Sequence, residues 1–310
     1  MSNVNVIIHL LASTLALATP LIFTALGGVF SERSGVVNIG LDGMMTIGAF
    51  FGVYGSYVSG NALVGLIFAV VAGAAIALLH AFLCISLKSD QTVSGTAINM
   101  LSTALAAFLI MTLFHKGGQT DSVNGLPYVL PKFIKNMPIV GTFMGDLNWF
   151  VFIALVAVVI SYIALYKTTW GLRVRSVGEH PRASDTLGIN VYAVRYTCVI
   201  ISGILAGLGG ATLSLGTVPL YRDGMVAGKG FIALAAVVFG NWKPIGSVLA
   251  CLLFSFADAL RLQSQMLGWN LPTEVYSVFP YVVTMLALAG FVKKSKPPAE
   301  DGIPYQKGER

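Results

Sequence analysis

Charge is what this sequence holds least of: Asp, Glu, Lys and Arg make up 10% of 310 residues, against 56% apolar types. So few charges exclude an ordinary soluble domain, and so many apolar residues exclude a disordered chain. Acidic residues are the scarcer sign, 13 against 19 basic, for a net charge of +6. That surplus does not point to nucleic acid, because the basic residues gather at the ends of apolar runs and in the tail, where membrane orientation accounts for them. Cysteine is scarce as well. Cys84, Cys198 and Cys251 each sit inside an apolar run without disulfide or metal-ligand spacing, and read as small buried apolar residues. The four histidines (His9, His80, His115, His180) are scattered, and HExxH, GxSxG and CxxC are missing, so no metal site and no enzyme constellation is assembled. His80, inside a span, reads as buried with a local hydrogen bond. GMVAGKG at Gly224–Gly230 lacks the spacing of a phosphate loop and the hydroxyl residue after its lysine. The first apolar run has no basic start and is too long for a signal core, so it is expected to stay as a span.

What the chain does have is a series of uncharged apolar runs of bilayer length. The expected fold is all-α and polytopic, with a transmembrane domain over residues 1–294 and a polar, Pro-bearing tail at 295–310 read as disordered. Clean spans are Val6–Phe30, Ala62–Leu87, Gln91–Phe114, Asn148–Tyr166, Tyr196–Val218, Pro244–Met266 and Leu271–Val292. The Gly-rich segment after Gly35 and the short run after Gly230 bring a straight count to nine; either suits a broken or re-entrant helix, so the count is eight to ten. Residues 115–147 read as an external loop and 167–195 as a cytoplasmic one. The latter holds five of the 19 basic residues (Lys167, Arg173, Arg175, Arg182, Arg195), and Lys293, Lys294 and Lys296, four crossings later, fall on the same side.

Within 167–195, PRASDTLG predicts a short helix, started by Pro181 with its fixed φ and stopped at Gly188. Two turns do not fold alone, so this helix needs a dock, either the chain's own loops or another protein. Asn38 and Asp42 stand at membrane depth among Gly35, Gly40, Gly43 and Gly48, and Asn99 lies in the first half of its span. Polar groups there face a cavity or a partner. Asn38 and Asn99 offer donors and acceptors to a neutral solute, with Phe231 as a stacking face; the alternative for both asparagines is interhelical hydrogen bonding. Asp42 either staples a neighbouring helix N-terminus or lines a solute path. Gly203 and Gly207 form a GxxxG packing face, and Asp258 and Arg261 pair at i,i+3. NIGLDGMM (38–45) echoes FIALAAVV (231–238), consistent either with two related halves or with chance.

Four stretches together, SERSGVVNIGLDGMMTIGAFFG, SGTAINML, GLRVRSVGEHPRASDTLGINVYAVRY and SGILAGLGGATLSLG, resemble the permease subunits of bacterial ABC importers for simple sugars, branched-chain amino acids and nucleosides. The pairing of GVVNIGLDGMM with GEHPRASDTLGIN is similar above all to the nucleoside branch. The resemblance implies a multi-pass, non-enzymatic subunit of the bacterial cytoplasmic membrane, paired with a second permease subunit, alike or different. It also implies an extracytoplasmic lipoprotein receptor and partner ATPases that bind the ATP, so that this chain holds no cofactor. By motif match, the coupling helix offered to an ATPase is Gly178–Gly188, with Gly178, Glu179, Pro181, Arg182, Asp185 and Gly188 as its key positions. Asp42 stands where many relatives have glutamate, and His180 where asparagine is common. Alternatives are the same machine carrying a ribose-like sugar, a secondary carrier, and a membrane scaffold.

Overall fold

The computed structural model describes residues 3–126, 140–145, 147–266 and 295–308, with Val278, Val282 and Met285. All regular elements among the described residues are helical, joined by one isolated bridge between Gln119 and Arg222. In order they are α1 (Asn3–Arg33), α2 (Leu41–Ser59), α3 (Ala62–Ala81, continued as a π-helical Phe82–Ser86) and α4 (Gln91–Phe114). The short α5 (Val140–Gly145) and α6 (Trp149–Lys167) follow, then α7 (Thr169–Glu179) and α8 (Pro181–Thr186). The chain continues with α9 (Val191–Ala211, continued as a π-helical Thr212–Thr217), α10 (Lys229–Phe239) and α11 (Pro244–Met266). Six of these are long and apolar enough to cross a membrane: α1, α3, α4, α6, α9 and α11. The expected spans of α2 and α10 are the two broken ones, and Leu271–Val292 lies outside the described residues except for Val278, Val282 and Met285.

α9 is the axis of the bundle. It runs between α2 and α3, and glycine lets all three backbones meet. A Cβ on Gly207 would stand 2.5 Å from the Ala69 carbonyl oxygen of α3, and one on Gly48 of α2 would stand 2.5 Å from the Gly207 Cα. One turn earlier, a Cβ on Gly203 would stand 2.4 Å from the carbonyl oxygen of Gly73.

Between α1 and α2 the chain is not helical, so its backbone groups need partners from elsewhere in the bundle. Ser31 Oγ donates to the Val36 carbonyl (2.6 Å), and the Val37 N–H donates to Gln91 Oε1 (2.7 Å). His80 Nε2 lies 3.1 Å from the Val37 carbonyl, its other nitrogen 3.0 Å from Ser94 Oγ. Asn99 Nδ2 donates to the Ile39 carbonyl at 3.0 Å. The neighbours of α9 give the depth. Gly35 abuts Arg195 and Asn38 meets Ser202, which at 1.5 Å per residue is about 10 Å further along; Gly48 meets Gly207, about 18 Å along. The lead into α2 therefore lies inside the bundle, about 10 Å along α9 from Arg195.

The second break mirrors the first from the opposite end. Residues 218–223 pair with 118–123, through Thr120 N–H to the Tyr221 carbonyl (2.9 Å) and Asp223 N–H to the Gly118 carbonyl (2.8 Å), before the chain turns inward to start α10 at Lys229. The 19-residue α2 and the 11-residue α10 thus start beside each other, Gly230 against Asp42. The octet echo falls on these two elements but in another register, since it pairs Leu41, the first residue of α2, with Leu234, in the middle of α10.

Two expectations change. The 167–195 loop is mostly helix: α7 was not anticipated, and it packs Val174 and Val177 inward, with Trp170 against Phe30 (ring centroids 6.0 Å apart) and Arg175 over the Tyr166 ring at 5.0 Å. The tail, read as disordered, is docked over residues 295–308, because its backbone N–H and carbonyl groups find partners on the bundle and Tyr305 is buried against Tyr192.

Candidate functional site

The N-termini of α2 and α10 meet, and three of the four expected path residues stand on these two helices or cap one of them. Gly40, at the N-cap of α2, has no side chain to close the first turn, and Asn99 of α4 supplies one from outside: its Oδ1 accepts from the Gly43 N–H at 2.7 Å. Asp42, in the first turn, accepts from the Gly230 N–H of α10 at 2.9 Å. The carboxylate thereby sits at the positive end of the α10 dipole. Gly230 is required by that approach, since a Cβ there would lie 2.4 Å from the Asp42 Cα. Phe231, the next residue, leaves 48% of its surface exposed.

Asn38 is fully buried at 0% exposure and donates to Ser202 Oγ on α9 at 2.9 Å. The Asn38 Nδ2 and both amide atoms of Asn99 are engaged within the bundle, which is the interhelical alternative of the two expected for them: in this conformation they brace the broken segment, and the Asn38 Oδ1 is buried without a partner. Phe231 and the partly exposed Asp42 are what the junction presents. Gln91 and His80, which hold the Val37 peptide, were not singled out as site residues, because their partner lies more than forty positions away in sequence.

Asp42→Asn should cost the solubilised protein the ~0.3–1 kcal/mol of a charge at a helix terminus, up to ~2 in partly buried geometry, and so lower its thermal midpoint. Selectivity among transported solutes should be unchanged. A shift in selectivity at unaltered stability would assign Asp42 to the path instead.

At the end of the bundle carrying α7 and α8, the 178–188 segment is not one helix. His180 breaks it, with φ −144° and ψ 76°. Pro181 opens α8 as expected and Gly188 follows it at φ +81°. Pro181 and Ser184 face inward, with Ser184 Oγ 2.7 Å from Ser176 Oγ, while Arg182 and Gly188 face out. Gly178 is buried where a Cβ would lie 2.2 Å from the Arg33 carbonyl oxygen. Glu179 reaches Arg33 (4.0 Å) and accepts from the Ala299 N–H (3.4 Å), and Asp185 faces Lys307 at 3.8 Å. Gly178, Glu179 and Asp185 are therefore held in part by the chain itself. Leu187 was missed. At 80% it is the most exposed large apolar side chain among the described residues, and its signal was a lone apolar residue between Thr186 and Gly188 in a polar loop. Arg182, Leu187 and Gly188 together are exposed as a small mixed polar and apolar surface.

Among the described residues no cluster of His, Cys, Asp or Glu has metal-binding arrangement. Asp258 and Arg261 pair at 3.6 Å on α11, away from both sites. In the docked tail, burial pushes the Asp301 carboxyl up to about 7 against the opposing pull of Arg195.

The chain is 43% identical to the guanosine ABC transporter permease protein NupQ of Bacillus subtilis and 39% identical to the nucleoside ABC transporter permease protein NupC of Lactococcus lactis, each over all of both chains. A solved structure of an inward-facing ABC transporter of metal-chelate type shares the fold at a TM-score of 0.50 and 14% identity, over 91% of this chain and 84% of that one. Residues 10–288 match the family described as "Branched-chain amino acid transport system / permease component". That match spans most of the chain, and with relatives 39–43% identical along their whole length the chain belongs to that family of transport permeases.

Proposed function

We propose that this chain is the membrane-spanning permease subunit of an ATP-driven nucleoside importer in the bacterial cytoplasmic membrane. The observation that carries the proposal is likeness to nucleoside permeases along the full chain, so that transmembrane core and docking loop are matched together. ATP is bound by partner ATPase subunits that seat on α8, with Arg182 and Leu187 as the outward contacts and Gly188 shaping the turn. A second permease subunit completes the path by facing Phe231, and an extracytoplasmic lipoprotein delivers the substrate at the end formed by 118–123 and 218–223. The chain performs no chemistry of its own. Its work is to alternate which end of the α2/α10 junction is open.

A nucleoside carries hydroxyls and an aromatic base but no net charge, which suits a junction with one exposed ring and its nearby carboxylate already paired to a backbone amide. Competition tests the substrate class directly. Guanosine, adenosine or uridine should inhibit uptake more strongly than free ribose; stronger inhibition by ribose would assign the machine to sugars.

A further inference from the structure

The docked tail touches each moving part that the importer reading names. Ser295 Oγ donates to the Val238 carbonyl at 3.0 Å, and the Lys296 N–H donates to Asn241 Oδ1 at 3.1 Å, so the tail begins at the C-terminal end of α10. The next residues lie on the 178–188 segment: Ala299 N–H donates to Glu179 Oε2 (3.4 Å) and Glu300 N–H to the Gly178 carbonyl (3.0 Å). The tail then reaches the lead into α2. A Cβ on Gly35 would stand 3.0 Å from the Glu300 carbonyl oxygen, and one on Gly302 would stand 3.5 Å from Val37 Cγ2. Gly35 needs its positive φ of +88° there.

Beyond that point it is pinned to the foot of α9. Arg195, 2% exposed, donates from Nη1 to the Ile303 carbonyl at 2.9 Å, and the Tyr305 ring packs on Tyr192 with centroids 5.5 Å apart. Lys307 then faces Asp185 at 3.8 Å, and Gln306 bonds Lys88 in the α3–α4 turn. A buried guanidinium and a buried tyrosine make this a built seat; a mobile tail lying on a surface would have neither.

We propose that residues 295–308 are a strap that couples the 178–188 segment to both half-helices, so that displacement of that segment by an ATPase reaches the α2/α10 junction through the strap. The inference rests on the importer reading. The strap's backbone links the C-terminal end of α10, the docking segment and the non-helical lead into α2 in sequence order, with hydrogen-bonded turns at 298–301 and 300–303 between them, and a contiguous chain of packed and hydrogen-bonded contacts of this kind carries coupling from one end to the other.

The test uses the reconstituted importer with its ATPases and receptor, comparing the full chain with a variant lacking residues 298–310. Co-purification of the ATPases should be unchanged, since Arg182 and Leu187 remain, while nucleoside uptake falls about tenfold or more and ATP hydrolysis continues. Uptake within about twofold of the full chain would overturn the proposal. Should the shortened chain fail to assemble, Glu300→Pro removes one N–H and its bond to Gly178 in an otherwise intact chain. Uptake should then fall several-fold at an equal amount of assembled complex, and unchanged uptake would again overturn the strap. If the full-length importer moves no nucleoside at all, it is the importer reading that fails. The strap is then judged by a Tyr192→Cys, Tyr305→Cys pair, which a short bifunctional thiol reagent should join in the intact membrane; absence of that cross-link, with both thiols shown to react singly, would overturn the docked seat.

Discussion

An Arg182→Glu, Gly188→Val double variant should reach the membrane at normal levels and transport nothing measurable. Arg182 projects from α8 into solvent, so inverting its charge costs the fold little and leaves a partner's acidic contact opposed by a like charge. Gly188 holds φ +81° with no atom within 4 Å of where a Cβ would stand, so the valine meets no clash; its cost is conformational, ~1–2 kcal/mol for a non-glycine residue in the left-handed region and more for a branched one. That strain re-aims Leu187, the neighbouring apolar contact. ATPase co-purification, hydrolysis and uptake measured on one preparation separate failed docking from failed transmission. Normal uptake by the double variant would contradict the docking assignment.

Gly207→Val should impair assembly of the bundle itself. Gly207 is caught between α3, whose Ala69 carbonyl oxygen lies 2.5 Å from the site of a Cβ, and α2, whose Gly48 approaches from its other side. Neither obstacle is a flexible side-chain end. Overpacking ordinarily costs ~1–3 kcal/mol, and a collision with backbone belongs at or beyond the top of that range. The monodisperse fraction recovered after solubilisation should fall about tenfold. Gly188→Ala is the contrast, because nothing lies near that position and only its φ resists, so the folded yield should stay near that of the unaltered chain.

Local constraints were legible in the sequence, and long-range ones were not. Pro181 and Gly188 mark the ends of a short helix because one fixes φ and the other frees it, and both act within a single residue. Glycines beside Asn38 and Asp42 announced a broken helix for the same reason. Asn99 was visible as a polar residue at depth, but its cap on α2 depends on the placement of α4 beside a helix whose own N-cap has no side chain. The tail misled most. Its composition is that of a disordered segment, and what orders it is a set of backbone hydrogen bonds to Gly178, Asn241 and Arg195, which composition does not encode. Asp42 was legible as either staple or path residue, and the 2.9 Å bond to Gly230 gives it the geometry of a staple.

The measurement that tests the account most directly is guanosine uptake into vesicles holding this chain with its partner permease, ATPases and receptor. Uptake should require ATP hydrolysis, stop when the ATPases are omitted, and stay absent when a proton or sodium gradient is imposed on the chain alone. Gradient-driven uptake by the chain alone would contradict the account and make it a self-sufficient carrier.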